Sequence, residues 1–180
     1  MRSIYKIVVC SLLTLSITSC EKDLLEKEQY QKEIYLIGAY NRVWTTEVSY
    51  SNEEVKTYFT VSSSGTLALD RDVNVKMKIN EELVDIYNKK YWTVLNEDKY
   101  YKSLDTDLYS IPSLENTVIK HAEGISAEVP VLIKTASLKI DQSYVIPVEI
   151  ESTTGYPISE SGYKMLILLK LKNDYSGSYQ

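Results

Sequence analysis

The stretch "VNVKMKI" (73–79) decides the fold class of this 180-residue chain, because its apolar and polar residues alternate without a break. A period of two with one apolar side is typical of a β-strand that packs one face on a core and leaves the other face in water. The apolar side consists of Val73, Val75, Met77 and Ile79. The stretch therefore predicts a half-buried strand.

Six further segments have a strand-like composition and are separated by residues that favour turns. They are 34–40, 55–62, 117–121, 127–136, 143–152 and 163–174. About seven short strands at regular spacing favour an all-β, immunoglobulin-like sandwich of two sheets. The last segment contains "MLILLKLK", which is apolar on both faces and is expected to be a covered central strand. Residues 45–54 are rich in turn-forming side chains and are predicted as a connection between strands.

One segment breaks this pattern, since "NEELVDIYNKKY" (80–91) has apolar side chains at helical spacing. Asn80 can cap a helix, and the acidic residues that follow it suit a first turn. The apolar face consists of Leu83, Ile86 and Tyr87. We therefore predict one short helix near residues 80–91. It is followed by a short connection over 91–101 that crosses between strands and in which Trp92 and Leu95 point inward.

Residues 1–19 have the features of a signal peptide, because Arg2 and Lys6 precede an apolar run at 7–17. That run is too short to cross a bilayer as a helix, which needs about 20 apolar residues. The sequence Ile17-Thr18-Ser19-Cys20 resembles a bacterial lipobox, in which the cysteine is acylated and becomes the new N-terminus. An ordinary signal peptide followed by a chance cysteine is the alternative.

Lipidation at Cys20 would anchor the chain to outer-membrane lipid. Two or three acyl chains make such anchoring effectively permanent, because each buried CH₂ group contributes about 0.8 kcal/mol. We expect a lipidated tether over 20–32, a sandwich domain over 33–174 and a tail over 175–180. Because Cys10 leaves with the signal peptide, Cys20 has no partner for an internal disulfide, and the folded part has no thiol for catalysis or metal binding.

The charge of the predicted mature chain excludes nucleic acid as a partner. Without residues 1–19 the chain has 18 basic and 25 acidic residues. Affinity for a phosphate backbone comes from lysine and arginine that displace counterions, and no basic stripe occurs here. The composition of 16 tyrosines and one phenylalanine instead suits strands that are half buried and half wet.

No residue pattern predicts an enzyme, a metal site or a cofactor. His121 is the only histidine, so a histidine-dependent triad or metal site must use it, and its position at a strand end favours a structural role. Glu149 and Glu151 could form the carboxylate pair of a glycosidase, but they alternate with apolar residues as a solvated strand face does. The spacing in "LDRDVN" (69–74) echoes the start of a calcium loop but lacks its glycine, which favours a turn.

Exposed aromatic rings are the best candidates for a binding role, because a sugar ring can stack on tryptophan or tyrosine while polar neighbours bind its hydroxyl groups. Trp44 lies in a predicted loop or strand end with Tyr50 nearby, and Trp92 has several tyrosines as neighbours. Packing in a core or at its rim is the alternative for each tryptophan. Trp44 is the stronger candidate of the two.

The order of these segments resembles a known family. The helix with Tyr87-Asn88 is followed by "TVIKHAEGISAEVPVLIK" (117–134), by "YVIPVEIES" (144–152) and by a final apolar strand. This arrangement is similar to the domain of unknown function 1735, the N-terminal module of many Bacteroidetes surface lipoproteins, over residues 34–174. The resemblance implies an immunoglobulin-like sandwich.

The same resemblance implies a function. Members of that family are often encoded with starch-utilisation-type transporter and binding-protein pairs, and many carry a second domain that binds or cleaves glycans. It implies a non-catalytic cell-surface lipoprotein that supports or contributes to the binding of a polysaccharide or glycan, with such a transporter complex as a candidate partner. Residues 21–23 resemble the charged export signal of surface lipoproteins, which would place the domain on the cell exterior, and a solvated linker is the alternative. A structural spacer or protein-interaction module that docks to another outer-membrane component is the alternative.

Overall fold

The computed structural model describes residues 28–172. The predicted signal peptide, the lipidated Cys20 and the tail over 175–180 lie outside this part of the chain. Within it are ten strands and one α-helix. The strands are β1 (Ile34–Leu36), β2 (Val43–Ser49), β3 (Glu54–Ser63), β4 (Val73–Ile79), β5 (Lys102–Ser103), β6 (Tyr109–Ser110), β7 (Thr117–Ile119), β8 (Ser126–Lys134), β9 (Tyr144–Thr153) and β10 (Lys164–Lys172), and the helix is α1 (Glu82–Tyr91).

The strands form two sheets that pack face to face. One sheet has the order β1-β3-β8-β6, and the other has the order β2-β10-β9-β4-β7 with β5 added beside β9. The orders β1-β3-β8 and β10-β9-β4 correspond to strands A-B-E and G-F-C of an immunoglobulin domain. The predicted immunoglobulin-like sandwich is confirmed, and the described residues contain three strands more than the seven expected.

The strand β2 occupies part of the segment 45–54 that was predicted as a turn region. It pairs with β10 in parallel register and forms one edge of its sheet. Val48 is its one fully buried residue. An edge strand with mostly exposed side chains has no alternation of apolar and polar residues, so its composition resembles that of a turn.

The first strand is shorter than the predicted 34–40, because the chain leaves the sheet after Leu36 and continues into β2 on the other sheet. Gly38 lies at this change of direction with a φ of 89°, a left-handed conformation that favours glycine. A Cβ atom on Gly38 would also lie 2.6 Å from Cε3 of Trp44. The turn therefore requires glycine for its backbone conformation and for the close approach of the indole ring.

The strand β10 lies between β2 and β9, which confirms the predicted central position of "MLILLKLK". Met165 and Ile167 on its inner side belong to the main core between the sheets. Leu166 on its outer side belongs to a second cluster with Leu83, Val84 and Val145, which lies under α1. Full burial of such a side chain contributes about 1.5–3 kcal/mol. The helix is therefore a third layer that covers the outer face of the six-stranded sheet.

The predicted helix is confirmed, with bounds at Glu82–Tyr91. The side-chain oxygen of Asn80 accepts a hydrogen bond from the backbone N–H of Glu82 at 3.2 Å, as expected of a residue that caps a helix. Leu83 is buried against the sheet, whereas Ile86 is 51% exposed. The prediction that Ile86 shares the buried face is wrong, because Val84 and Asn88 take that position.

The turn after α1 also differs from the prediction. Leu95, expected to point inward, is 92% exposed, and its neighbour Val94 is 77% exposed. Both lie in a short 3₁₀ turn (Val94–Lys99) that has no buried residue. The expectation for Leu95 is wrong, because neither sheet extends over this turn.

The ends of the sandwich are defined by β9, whose ten residues extend over about 30 Å. We call the end at which β9 finishes the proximal end. The described chain begins there, because the N–H of Ile34 donates to the carbonyl of Pro157, four residues after β9. At the distal end, β9 begins with Tyr144. Among residues 28–172, no helix has the length and apolar character needed to cross a membrane.

The distal end is closed by residues 102–110, which we call the crossing segment. Its first strand, β5, pairs with β9 in the six-stranded sheet. Its last strand, β6, pairs with β8 in the four-stranded sheet. Because each end is hydrogen-bonded to a different sheet, the crossing segment joins the two sheets and is held at a fixed position.

Candidate functional site

Trp44 lies on the edge strand β2 and is 37% exposed. Its ring lies against Gly38. Thr46 lies two residues after Trp44, on the same side of β2. Its hydroxyl oxygen lies 2.5 Å from that of Thr57 on the facing sheet. Trp44 therefore covers the open side of the sandwich and leaves part of its ring in solvent.

Tyr50 follows the other end of β2 and is 45% exposed. Its hydroxyl donates to the carbonyl of Ala136 at 2.7 Å, which ties the turn after β2 to the turn after β8. The six residues from Trp44 to Tyr50 span about 20 Å of extended chain. These two rings therefore do not form one platform.

Trp92 directly follows α1 and is half-buried. Its Nε1 atom is buried and has no hydrogen-bond partner within the described chain. The amine of Lys99 lies 5.7 Å from the centre of its ring, within cation–π distance. The structure thus places the three predicted aromatic residues at separate positions, and their roles in glycan binding stay predictions.

A different group of rings comes together beside Trp92. The rings of Tyr87 and Tyr101 are stacked, with centroids 5.2 Å apart and an interplanar angle of 11°. The ring centroid of Tyr91 lies 4.4 Å from that of Tyr87 at an angle of 35°. We call these three residues the tyrosine cluster. Tyr91 is 49% exposed, so the cluster presents an aromatic surface to solvent.

Asn88 holds the tyrosine cluster in place. Its side-chain amide donates to the carbonyl of Tyr101 at 2.9 Å, and its side-chain oxygen accepts from the N–H of Tyr101 at 3.0 Å. Asn88 is 5% exposed. The spacing of Tyr87 and Tyr91 on a predicted helix already places them on one face, but the position of Tyr101 depends on this long-range pair of hydrogen bonds.

The phenol group of Tyr87 in the tyrosine cluster remains protonated in neutral solution. Burial, with the neighbouring Tyr101 adding to it, raises the pKa of Tyr87 to about 12. The amine of Lys90 lies 5.3 Å from the ring centroid of Tyr91. A neutral phenol can donate and accept a hydrogen bond, so the cluster combines ring faces with groups that can bind hydroxyls.

Two concave sites flank this region, and a third, of about 300 Å³, lies between residues 140–143 and the end of β10. A pocket beside α1, lined by residues that include Arg42, Ile86 and Lys164, has a volume of about 50 Å³. Ligand pockets usually have about 300–1,000 Å³, so this pocket is too small for a sugar ring. The second site, an open groove of about 530 Å³ at the distal end, falls within that range. We call it the distal groove, and its lining consists of Asp105, Thr106, Asp107, Leu108, Ser137, Leu138 and Tyr144.

The carboxylates considered for glycosidase chemistry are engaged with side chains of β4 and its C-terminal end. Glu151 forms an ion pair with Lys76 at 2.7 Å, and this hydrogen bond lowers the pKa of Glu151. Glu149 accepts a hydrogen bond from the side chain of Asn80 at 2.5 Å and lies 3.8 Å from Lys78. Both glutamates are therefore engaged by β4 or by Asn80 at its end, on the outer face of the sheet, where Glu149 is partly buried and Glu151 is more exposed.

The acidic residues of 69–74 and His121 lie at the proximal end. Asp70 binds Arg71 at 2.9 Å and accepts a hydrogen bond from Tyr156, and these contacts hold its pKa well below the usual range. Asp72 lies 2.6 Å from Nδ1 of His121, which lowers the pKa of Asp72. Within residues 28–172, no group of three or more acidic, histidine or cysteine side chains could hold a metal ion.

A family model described as an N-terminal domain matches residues 30–157, well over half of the chain. The sandwich is also similar to a multidomain protein from Bacteroides ovatus that includes DUF1735, with a TM-score of 0.60 and 21% identity over 77% of this chain and 44% of that one. No curated protein matches the sequence.

Two further similar structures come from proteins with a stated connection to glycans. One is a candidate carbohydrate-binding protein from Bacteroides ovatus, with a TM-score of 0.54 and 20% identity over 77% of this chain and 36% of that one. The other is EndoBT-3987 from Bacteroides thetaiotaomicron, solved with a Man5GlcNAc product, with a TM-score of 0.55 and 20% identity over 77% of this chain and 30% of that one. This chain spans less than half of each of these three proteins, and the likeness at such identities shows the fold.

Proposed function

Because the chain belongs to this family of N-terminal domains, the DUF1735-type module of Bacteroides proteins, we propose that it is a non-catalytic, glycan-binding module of a cell-surface lipoprotein. The observation that carries the proposal is the tyrosine cluster. An aromatic ring face is electron-rich and attracts the C–H groups on the apolar face of a sugar ring. Tyr91 offers such a face, 49% exposed and held beside Tyr87.

The position of the tyrosine cluster supports a role in binding glycans from the surroundings of the cell. Tyr101 directly precedes β5, which pairs with the first residues of β9 at the distal end. The described chain begins at the proximal end, where Glu28 accepts a hydrogen bond from the backbone N–H of Thr66. A domain tethered through its N-terminal segment would therefore present the cluster on the side away from its attachment.

The paired carboxylates support a non-catalytic role. A glycosidase needs an acid and a base or nucleophile about 5 to 9.5 Å apart in a cleft. Glu149 and Glu151 instead lie on a sheet face with Lys78 and Lys76 beside them. An ion-paired carboxylate on an open face lacks the enclosed substrate that this chemistry requires.

The test of glycan binding is native affinity electrophoresis of the purified full-length protein in detergent. The gels contain yeast mannan, amylopectin, xyloglucan, galactomannan or polygalacturonate. We expect retardation by at least one polymer and its loss in Tyr91→Ala. Tyr58→Ala is the matched control, because Tyr58 is 42% exposed on another face with a lysine at a similar distance from its ring. Trp44→Ala in the same gels tests the residue that the sequence favours.

The outer-membrane location is proposed from Cys20 and the residues that follow it. A lipidated Cys20 would hold the protein at the outer membrane, facing the cell exterior, where a starch-utilisation-type transporter complex is the candidate partner. We expect Cys20→Ala to move the protein from the membrane fraction to the soluble fraction. Protease treatment of intact cells tests the outward orientation, and retention of Cys20→Ala in washed membranes would contradict the anchor.

A second candidate function, a spacer or protein-interaction module, is favoured by the exposure of Val94 and Leu95. Contiguous apolar surface on a protein marks contact with a partner, and these two adjacent side chains would contribute to such a surface. A photo-crosslinking amino acid at position 95, compared with one at position 58, tests this function in native outer membranes. A single crosslinked outer-membrane protein at position 95 alone, together with unretarded electrophoresis in every polymer, would favour the spacer.

A further inference from the structure

We propose that the distal groove binds one sugar ring of an uncharged polysaccharide and excludes uronic acids. This inference rests on the proposed glycan-binding function and assigns it a site that the sequence does not indicate. The groove has a volume of about 530 Å³ and opens to solvent at the end of the sandwich farthest from Glu28.

The walls of the distal groove are fixed before any ligand arrives. One wall is the turn Thr106–Leu108 within the crossing segment, whose two ends are paired to different sheets. The other wall is the turn after β8, closed by a hydrogen bond from the N–H of Leu138 to the carbonyl of Thr135 at 3.0 Å. The amine of Lys134 donates to the carbonyl of Asp107 at 3.2 Å and joins the two walls. A preformed site avoids the entropic cost of ordering loops on binding.

The lining provides one aromatic ring and several hydrogen-bonding groups. Tyr144 is partly buried and packs against the main core, so its ring has a fixed position. The carboxylates of Asp105 and Asp107 have no hydrogen-bond or ion-pair partner within residues 28–172, and both residues are exposed. Ionised carboxylates only accept hydrogen bonds. They therefore suit a ligand rich in hydroxyl donors, with the C–H face of its ring on Tyr144.

The charge of the lining selects between classes of glycan. Its seven residues include two aspartates and no basic residue, and the amine of Lys134 between its walls offsets only one of the two negative charges. A uronic acid or a sulfated sugar would bring a negative charge next to these carboxylates, and juxtaposed like charges oppose binding. A neutral hexose has no such cost, so the groove favours uncharged chains.

Affinity electrophoresis of the full-length protein tests the site with the same five polymers. The double variant Asp105→Ala/Asp107→Ala should bind the retarding neutral polymer about tenfold or more weakly, since each hydrogen bond to a charged group contributes enough to shift affinity by about that factor. Glu53→Ala is the matched control, because Glu53 is an exposed acidic residue at the same end, directly before β3, and does not line the groove or the other concave sites described for this chain. Its binding should change less than about twofold, as for a surface substitution away from a site.

A second double variant distinguishes the effect of side-chain charge on binding from the effect of side-chain size. Asp105→Asn/Asp107→Asn keeps the size of both side chains, and Asp105 makes no capping hydrogen bond whose loss could unfold the turn. It should bind neutral polymer more weakly and polygalacturonate more strongly than the unsubstituted protein. A thermal unfolding curve that matches the unsubstituted protein shows that each variant is folded.

The outcomes distinguish a wrong assignment of the binding site from a wrong assignment of the glycan-binding function. Unchanged retardation of both double variants, with Tyr91→Ala impaired, would overturn the groove and leave glycan binding at the tyrosine cluster. Retardation of the unsubstituted protein by polygalacturonate alone would overturn the preference for neutral chains. Absence of retardation in all five polymers would contradict the proposed function itself.

Discussion

At the proximal end, Asp70 binds Arg71 and Tyr156, and Asp72 binds His121. At the distal end, the carboxylates of Asp105 and Asp107 line an open groove without a partner in the described part of the chain. The aromatic groups differ in the same way. The hydroxyl of Tyr156 is engaged by Asp70, whereas the tyrosine cluster lies next to β5 with half of Tyr91 in solvent.

This difference separates groups that complete the fold from groups that are available to a ligand. A polar group that is already hydrogen-bonded must give up that bond to bind something else, whereas a solvated group exchanges only water. The proximal residues therefore contribute to local order, and the distal residues can bind a ligand with little loss. Substitution of the proximal carboxylates should leave glycan binding unchanged, whereas substitutions in the distal groove or the tyrosine cluster should weaken it.

The largest effect is expected from Asn88→Ala, which removes both hydrogen bonds to the backbone of Tyr101. The partly buried N–H and carbonyl of Tyr101 would lose their partners, at a cost of about 2–4 kcal/mol in unfolding free energy. Glycan binding should be lost together with the stacking of Tyr101. Urea denaturation measures the first effect and affinity electrophoresis the second. Asn74→Ala is the control, because Asn74 is exposed and its bond to Thr154 comes from its backbone.

A smaller effect, confined to binding, is expected from Tyr91→Ala. Loss of an exposed aromatic contact should weaken glycan binding about tenfold, which corresponds to about 1.4 kcal/mol. The free energy of unfolding should change little, because Tyr91 is 49% exposed. Isothermal titration with the retarding polymer gives the affinity. A variant that binds as well as the unsubstituted protein would move the site away from the tyrosine cluster.

Alkaline pH should destabilise the protein through the two partly buried phenols of Tyr87 and Tyr109. Burial is the main cause that raises the pKa of both Tyr87 and Tyr109 to about 12, from the usual value of about 10. The unfolded chain loses these protons first, so the stability they contribute is present below about pH 10 and is lost between pH 10 and pH 12. The melting temperature should fall across this window and fall less steeply in Tyr87→Phe. Equal slopes would contradict the burial of Tyr87.

The smallest effect is expected from Asp72→Asn at the proximal end. His121 lowers the pKa of Asp72, so the stability that the pair contributes is present above the usual aspartate pKa of about 4 and is lost as the pH falls through the lowered value. Both groups are solvent-exposed, and exposed ion pairs contribute little. The melting temperature at pH 7 should be nearly unchanged, with glycan binding intact. Impaired binding would remove the functional distinction between the two ends.

The strands that pack on the core could be predicted from the sequence, because burial of one face imposes alternation on "VNVKMKI" and on "YVIPVEIES". The edge strand β2 could not be predicted, since most of its side chains are exposed and burial places no constraint on them. The predicted position of Leu95 was wrong for a related reason. Its apolar character favours burial, but no layer of the structure covers its turn.

The candidate sites were less predictable than the strands. Tyr87 and Tyr91 are four residues apart on a predicted helix, so their proximity was implied by the sequence. Tyr101 joins them through the side chain of Asn88, a contact between residues 13 positions apart. The distal groove combines residues 105–108 with residues 137–144, which meet because β5 and β6 pair with different sheets. No local sequence pattern indicates such pairing between distant segments.

Hydrogen–deuterium exchange of the full-length protein, with and without fragments of the polymer that retards it, tests the difference between the two ends most directly. If glycans bind at the distal end, backbone amides of residues 87–109 and 135–144 should exchange more slowly in the presence of the glycan, and amides of residues 64–73 and 119–126 should exchange at the same rate. Protection of the proximal segments, or equal exchange throughout with every glycan, would contradict the assignment of binding to the distal end.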